Sequence, residues 1–197
     1  SMYRTNVVTA NTSVVGADTL TPIISEANYR YVGATAIPKF YGSMKHDLSY
    51  KNLSLSFLFT YKVGGKIYDS GYAGLMHGGN YGTGLHVDAQ NRWQKSGDET
   101  NVPRLDAGNI TNLTGGSTRY LTDGSYLQLN NITLNFKLPS EFIAKIGAKE
   151  ANIFASGDNL GLLSARKGMD ATGSFNGTVQ NTYNFNKIMS IGAKIRF

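Results

Sequence analysis

An all-β fold of antiparallel membrane-spanning strands is predicted for this 197-residue chain by three features: an alternating C-terminal segment, a second alternating segment of membrane-strand length, and connections sorted by length. At the C-terminal end, Met189, Ile191, Ala193, Ile195 and Phe197 fall on one face of a strand, and Ser190, Gly192, Lys194 and Arg196 on the other. Successive strand residues point to opposite faces, so one face is apolar and the other is polar with two cations. A soluble sandwich writes the same pattern, and this segment alone leaves the two readings level. The second segment, Leu53 to Tyr61, puts Leu53, Leu55, Phe57, Phe59 and Tyr61 on one face and Ser54, Ser56 and Thr60 on the other, with Leu58 the exception. Nine residues match the ~9–11 that a tilted membrane strand needs.

The elements follow in order. Residues 1–35 are polar and rich in Thr and Asn, and read as a lead-in with a short strand near Tyr29 to Val32. Strand character begins near Ala36 and runs to Tyr50; Lys51 and Asn52 turn into the Leu53 segment. Residues 64–118 are dense in Gly, Asn, Asp and Tyr, a loop longer than compact soluble domains usually carry. Within it, Asp88 to Gln94 is predicted as a short helix capped by Asp88, and Gly78 to Gly84 as a flexible outside loop. From Arg119 to Leu138 a long strand switches phase: Leu127 and Leu129 share one parity, Ile132, Leu134, Phe136 and Leu138 the other. Such a slip marks a β-bulge, here near Asn130 and Asn131. Pro139 opens one or two helical turns that Gly147 ends. Ala151 to Leu163 and Tyr183 to Phe197 complete five strands.

Counted back from the C-terminus, the connections alternate long, short, long, short, long, which outer-membrane barrels show with short turns on the periplasmic side. That pattern places the C-terminus in the periplasm. Five strands cannot close a barrel when the smallest use about eight, so the wall is part of a larger one.

Composition limits the function classes. Only 16% of residues are charged, and the formal charge of +6 is spread along the chain without a basic arm or helix, which argues against nucleic-acid binding. The absence of cysteine excludes disulfides and thiolate metal sites. No apolar run of ~18 residues exists for a membrane helix. Ser1-Met2 reads as a remnant of tag removal, which would account for the missing export signal in a piece of a longer precursor.

Candidate site residues are few. His46, His77 and His86 are scattered and read as loop or lumen residues rather than ligands, and Asp158 and Asp170 have no partner base or nucleophile, so neither an enzyme nor a cofactor or metal is expected. The Gly78 to Gly84 run lacks the strand, helix and Lys-Ser/Thr of a phosphate cradle. Six Asn-x-Ser/Thr sequons, at Asn11, Asn52, Asn109, Asn112, Asn131 and Asn176, are expected by chance in so Asn- and Thr-rich a chain. Tyr50, Tyr61, Tyr126, Tyr183 and Phe197 stand near strand ends, as an interfacial aromatic girdle does. Tyr72, Tyr81 and Trp93 in the long loop are candidates for stacking on sugar rings, with packing of the loop on itself as the competing reading.

Ordered motifs from about residue 28 onward carry a resemblance. They are Ala36-Ile-Pro-Lys-Phe-Tyr-Gly42, Leu48-Ser-Tyr-Lys-Asn52, Gly64-Gly-Lys-Ile-Tyr-Asp69, Leu85-His-Val-Asp88 with Asn91-Arg-Trp93, and Val102-Pro-Arg-Leu105. Tyr120-Leu-Thr-Asp-Gly-Ser-Tyr-Leu127, Leu129-Asn-Asn-Ile-Thr-Leu134, Ser156-Gly-Asp-Asn-Leu160 and Arg166-Lys-Gly-Met-Asp170 follow. Together they resemble the C-terminal part of the SusC/RagA family of TonB-dependent outer-membrane transporters, nutrient importers of Bacteroidetes. The resemblance implies a barrel of about 22 strands, a plug domain, a SusD-like lipoprotein partner, TonB as the energy source, and a glycan or peptide substrate. Residues 36–197 would form the C-terminal barrel segment in the outer membrane, behind the lead-in of residues 1–35. Leu53, Leu55, Phe57, Phe59, Ile191 and Ile195 would face lipid, and Phe197 would be the terminal aromatic of the barrel-assembly signal. The alternative is a soluble secreted carbohydrate-binding β-sandwich.

Overall fold

The computed structural model describes residues 3–10, 12–108, 115–173, 176–179 and 186–197. In chain order the elements are β1 (Tyr3–Arg4), β2 (Ser13–Val15), β3 (Asp18–Thr21), β4 (Phe40–Tyr50), β5 (Leu53–Val63), β6 (Lys66–Asp69), α1 (Ser70–Leu75), β7 (Leu121–Asp123), β8 (Tyr126–Lys137), α2 (Ser140–Lys145), β9 (Glu150–Ser164), β10 (Thr178–Val179) and β11 (Ile188–Arg196), with three short 3-10 turns between them. They form sheets of order β1-β3-β2, β10-β6-β7 and β11-β9-β8-β5-β4. The chain divides into two compact units, one of residues 1–34 and 68–121 and the other of residues 35–67 and 122–197.

The five-stranded sheet is an up-and-down antiparallel meander, each strand pairing with its neighbour in sequence. Its register explains the phase switch. Leu58 pairs with Asn131 but Phe59 pairs with Leu129, so β8 carries one extra residue, Asn130, against β5. Against β9, Leu129 pairs with Gly161 and Asn131 with Asp158, so β9 in turn carries one extra residue against β8, next to Asn159 at φ 53°. Two stepped bulges thus keep Leu127, Leu129, Ile132, Leu134 and Phe136 on the face of Leu55 and Phe57, although their numbering changes parity. Asn159 tolerates the left-handed backbone better than a branched residue would.

Each of the two short connections has a local cause. Tyr50 pairs with Leu53 across the Lys51-Asn52 turn, and the Asn52 amide donates to the Lys137 carbonyl at 2.9 Å, tying the turn to β8. Pro139 precedes α2, and Gly147 at φ 69° ends it, as its sequence predicts.

Elsewhere the sequence-based expectations need correction. Tyr29 and Tyr31 are fully exposed and form no strand; the lead-in instead makes β1 to β3, where Gly16 (φ 62°) opens the two-residue β2–β3 hairpin. The onset of β4 is Phe40 rather than Ala36. The expected single strand from Arg119 is split at Gly124, whose amide bonds to the Gly65 carbonyl at 2.8 Å and so turns the backbone out of line between β7 and β8. The expected helix at 88–94 is a 3-10 turn, Val87–Asn91, capped by His86 and not by Asp88, because Nδ1 of His86 accepts the Asp88 N–H at 3.1 Å.

Candidate functional site

The face of the large sheet that holds the alternating apolar residues is laid out by register. It carries Phe40, Met44, Leu48 and Tyr50 of β4; Leu53, Leu55, Phe57, Phe59 and Tyr61 of β5; the five apolar residues of β8; Ile153 and Leu163 of β9; and Met189, Ile191 and Ile195 of β11. Apart from tyrosine hydroxyls, His46 is the one polar side chain on it among the described residues, and it stacks on Phe57 with ring centroids 5.0 Å apart. This face is uncovered: Ile191 is 83% exposed and Leu48 56%. Of its residues named so far, none is among the buried hydrophobics, which come from the connections, from α2 and from Ala151 at one end of β9. A sandwich would bury this face under a second sheet.

The opposite face is polar and internally bonded. Asn131 donates to Asp158 at 2.7 Å, Thr133 to Asn131 at 3.1 Å, and Thr60 to Asn130 at 3.1 Å, so the bulge residues aim both asparagines into this face. Lys45 pairs with Asp47 at 3.1 Å and Lys137 with Glu150 at 3.6 Å. Two glycines accept aromatic rings from the neighbouring strand. A Cβ at Gly192 would stand 2.6 Å from the Phe154 ring on the polar face, and one at Gly42 would stand 2.9 Å from the Tyr61 hydroxyl on the apolar face. The ring covers the bare backbone and pins register.

All six sequence-predicted apolar-face residues of β5 and β11 are brought to one face, and Leu55 and Ile191 line the same depression. Phe197, just past β11, is 74% exposed, and its backbone oxygen accepts from the Lys149 ammonium at 3.3 Å.

The three loop aromatics lie in the other unit and are placed differently. Tyr72 packs edge-on to Tyr120 and to His86, at centroid distances of 6.2 and 4.8 Å, and its hydroxyl donates to Asp88 at 2.8 Å. Its ring edge and hydroxyl are thereby engaged. Tyr81 stands wholly in solvent, and Trp93 is 38% exposed above a loop closed by its own N–H to the Val102 carbonyl at 3.0 Å. Tyr120, only 2% exposed, centres a cluster with Met76 and Ala89, and burial pushes the pKa of neighbouring Tyr68 upward, aided by Tyr120. Tyr3 is pushed up as well, chiefly by burial, against the opposing pull of Arg119.

Local hydrogen bonds and one close backbone approach order this unit. Asp69, 3% exposed, caps α1 by accepting the Tyr72 N–H at 2.9 Å. His77 accepts the Gly79 N–H on Nδ1 at 3.0 Å, which leaves the proton on Nε2 to reach the Gly84 carbonyl at 3.0 Å. Gly78 meets the backbone of Asp106 so closely that no Cβ fits, and the Asp106 N–H bonds to the Gly78 carbonyl at 2.8 Å. The segment expected to be a flexible loop is tied at both ends. Asp69 directly before a Ser-Gly-Tyr run was a legible capping signal, whereas the Gly78 and Asp106 pairing spans too many residues to be read from spacing.

Comparison with known proteins places this architecture. TonB-dependent receptor P3 of Formosa agariphila is 31% identical over 152 residues, 77% of this chain, and TonB-dependent receptor P26 of the same organism is 28% identical over 141 residues. The chain spans about 14% of the length of each. No family model matches. Two solved structures of the RagAB peptide importer align with TM-scores of 0.74 (closed-closed state) and 0.67 (open-open state) at 23% identity, covering 98% and 100% of this chain and 20% of theirs. An uncovered two-faced meander, a relative above 30% identity named as a TonB-dependent receptor, and the fold shared with RagAB converge: the chain belongs to the family of TonB-dependent receptors, and its five-stranded sheet has the fold of a segment of a β-barrel wall.

Proposed function

We propose that this chain is the C-terminal wall of an outer-membrane importer that takes up a glycan or a peptide together with a SusD-like lipoprotein and draws its energy from TonB. The observation that carries the reading is the sheet's pair of faces: one apolar and uncovered, the other polar and hydrogen-bonded. Leu53, Leu55, Phe57, Phe59, Ile191 and Ile195 face lipid in this reading, and Asn131, Thr133 and Asp158 face the wet lumen. The outer edges of β4 and β11 have no strand partner among the described residues, as expected where further strands would continue the wall. The Lys51-Asn52 turn and α2 lie on the periplasmic side with Phe197, which serves as the terminal aromatic for barrel assembly. The loops with Tyr81 and Trp93 lie outside, where those two rings are open to a passing substrate. The chemistry is passage and capture, with no bond made or broken.

The test uses the full-length transporter and two neighbouring substitutions. Leu55→Arg puts a cation into lipid at a cost of about 2–4 kcal/mol and abolishes heat-modifiable, membrane-assembled protein, while Ser56→Arg, on the polar face, leaves assembly intact. Equal tolerance of both, in a protein soluble without detergent, would instead support a secreted carbohydrate-binding β-sandwich.

A further inference from the structure

Charge in this chain is segregated. The unit that holds the wall carries thirteen of the nineteen Lys and Arg residues but six of the thirteen Asp and Glu, so the formal excess of positive charge belongs to it. On the polar face of the five-stranded sheet, register places five cations, Lys45, Lys62, Lys137, Lys194 and Arg196, with three carboxylates, Asp47, Glu150 and Asp158. Each carboxylate is engaged: Asp47 by Lys45 at 3.1 Å, Asp158 by the Asn131 amide at 2.7 Å, and Glu150 by Lys137 at 3.6 Å and the Asn152 amide at 3.5 Å. Lys194 and Arg196 are exposed, and their side chains form no hydrogen bond or ion pair among the described residues.

These two free cations and Lys137 surround one spot. Lys194 stands opposite Asn152 of β9, Asn152 stands opposite Lys137 of β8, and Arg196 stands opposite Glu150. Strands ~4.8 Å apart and a rise of ~3.3 Å per residue put the backbones of Lys194 and Lys137 about 10 Å apart and those of Lys194 and Arg196 about 7 Å apart, so their extended side chains can converge over Asn152. Two residues back along β11, Gly192 carries the half-buried Phe154 ring, an apolar surface beside the charges. An anion settling there gains charge-assisted hydrogen bonds from both free cations without breaking an internal ion pair, and a neutral group gains no such bond. We propose that the short-connection end of the polar face is a binding site for an acidic oligomer in transit, a uronate glycan or a carboxylate-rich peptide, with a carboxylate on Lys194 and Arg196 and its apolar framework on Phe154. This names the substrate class of the importer proposed above, and it rests on the reading of the polar face as the lumen wall.

The experiment is isothermal titration calorimetry of the full-length transporter in detergent with two matched pairs of probes: tetragalacturonate against maltotetraose, and a Glu-Ser repeat peptide against its Gln-Ser counterpart. One acidic probe is expected to bind more tightly than its neutral counterpart, and which one does so separates glycan from peptide. Lys194→Gln and Arg196→Gln are each expected to weaken the acidic probe about tenfold, as loss of one charged hydrogen bond does, and to leave the neutral probe unchanged. Arg196→Lys, which keeps the charge, is expected to retain most of the affinity. Lys51→Gln, in the turn beside β4 and away from this cluster, is expected to change nothing. Heat-modifiable mobility of every variant confirms assembly. Equal affinity of the wild type for acidic and neutral probes, no binding of either acidic probe, or wild-type affinity in an assembled double variant of Lys194→Gln and Arg196→Gln overturns this site alone; a wild-type protein that does not assemble in membranes overturns the lumen reading and this site with it.

Discussion

The two units of this chain are held by different physics. The five-stranded sheet has almost no buried apolar residue of its own, because its apolar face is uncovered and its other face is polar. The unit made of residues 1–34 and 68–121 behaves as a small soluble domain does, with Tyr120, Met76 and Ala89 buried against Tyr68, Tyr72 and Val102. Wall stability therefore resides in backbone ladders and register, whereas loop stability resides in side-chain packing that water enforces. Substitutions that separate assembly from loop order sharpen this contrast.

The largest expected effect is in the loops. Tyr120→Ala removes the centre of the buried aromatic group, whose edge-on contacts to Tyr68 and Tyr72 have centroid distances of 5.9 and 6.2 Å. Truncating a buried aromatic of this size costs about 3–5 kcal/mol. Limited proteolysis of the full-length protein should then cut within residues 68–121, while heat-modifiable mobility of the barrel stays that of the wild type. Loss of barrel assembly in this variant would break the division between the two units.

A smaller effect is expected in the wall, where register takes the place of a core. Gly192→Ala forces the Phe154 ring away from the β11 backbone, an overpacking cost of about 1–3 kcal/mol. Phe154→Ala combined with Gly192→Ala relieves the clash, so the double variant should assemble better than Gly192→Ala alone. Additive loss in the double variant would mean that the ring and the glycine do not act as a unit.

The same contrast decides what could be read from the sequence. The five strands, the Lys51-Asn52 turn, the Gly147 terminator and the bulge at Asn130 are legible because one apolar and one polar face impose a two-residue period, and a departure from that period at Leu129 and Ile132 must be absorbed by the backbone. That β9 answers with its own bulge beside Asn159 was not legible: Leu160 and Leu162 are apolar on either side of Gly161, and alternation there loses its contrast. The loop unit escaped prediction because its order comes from distant pairs, Gly78 with Asp106, Trp93 with Val102 and Tyr72 with Asp88, none of which leaves a periodic trace. Tyr72, read as a loop aromatic, stands on α1, and the engagement of its hydroxyl was visible only in three dimensions. Tyr183 and the sequons at Asn11, Asn109 and Asn112 lie outside the described residues.

The smallest effect concerns the turn where β7 leads into β8, within the unit that holds the wall. Asp123 accepts the Ser125 N–H at 2.8 Å and lies 3.5 Å from the Lys66 ammonium, while the Ser125 hydroxyl accepts the Gly64 N–H at 2.9 Å. Hydrogen bonds from the Ser125 side chain and backbone, with help from Lys66, hold the Asp123 carboxyl below its ordinary range. A depressed folded-state pKa means that the contribution is complete above the unfolded value, near 4, and is lost as pH falls through the lower folded value. The side chain is 44% exposed, so solvent screens the group and the effect is local rather than global. A nitroxide label at Thr122 should therefore keep one mobility from pH 8 down to about 4 and loosen below it, and Asp123→Asn should show the loosened spectrum at every pH. A mobility change centred near neutral pH would assign the turn's order to some other group and remove Asp123 from the list of contacts that hold the wall's outer rim.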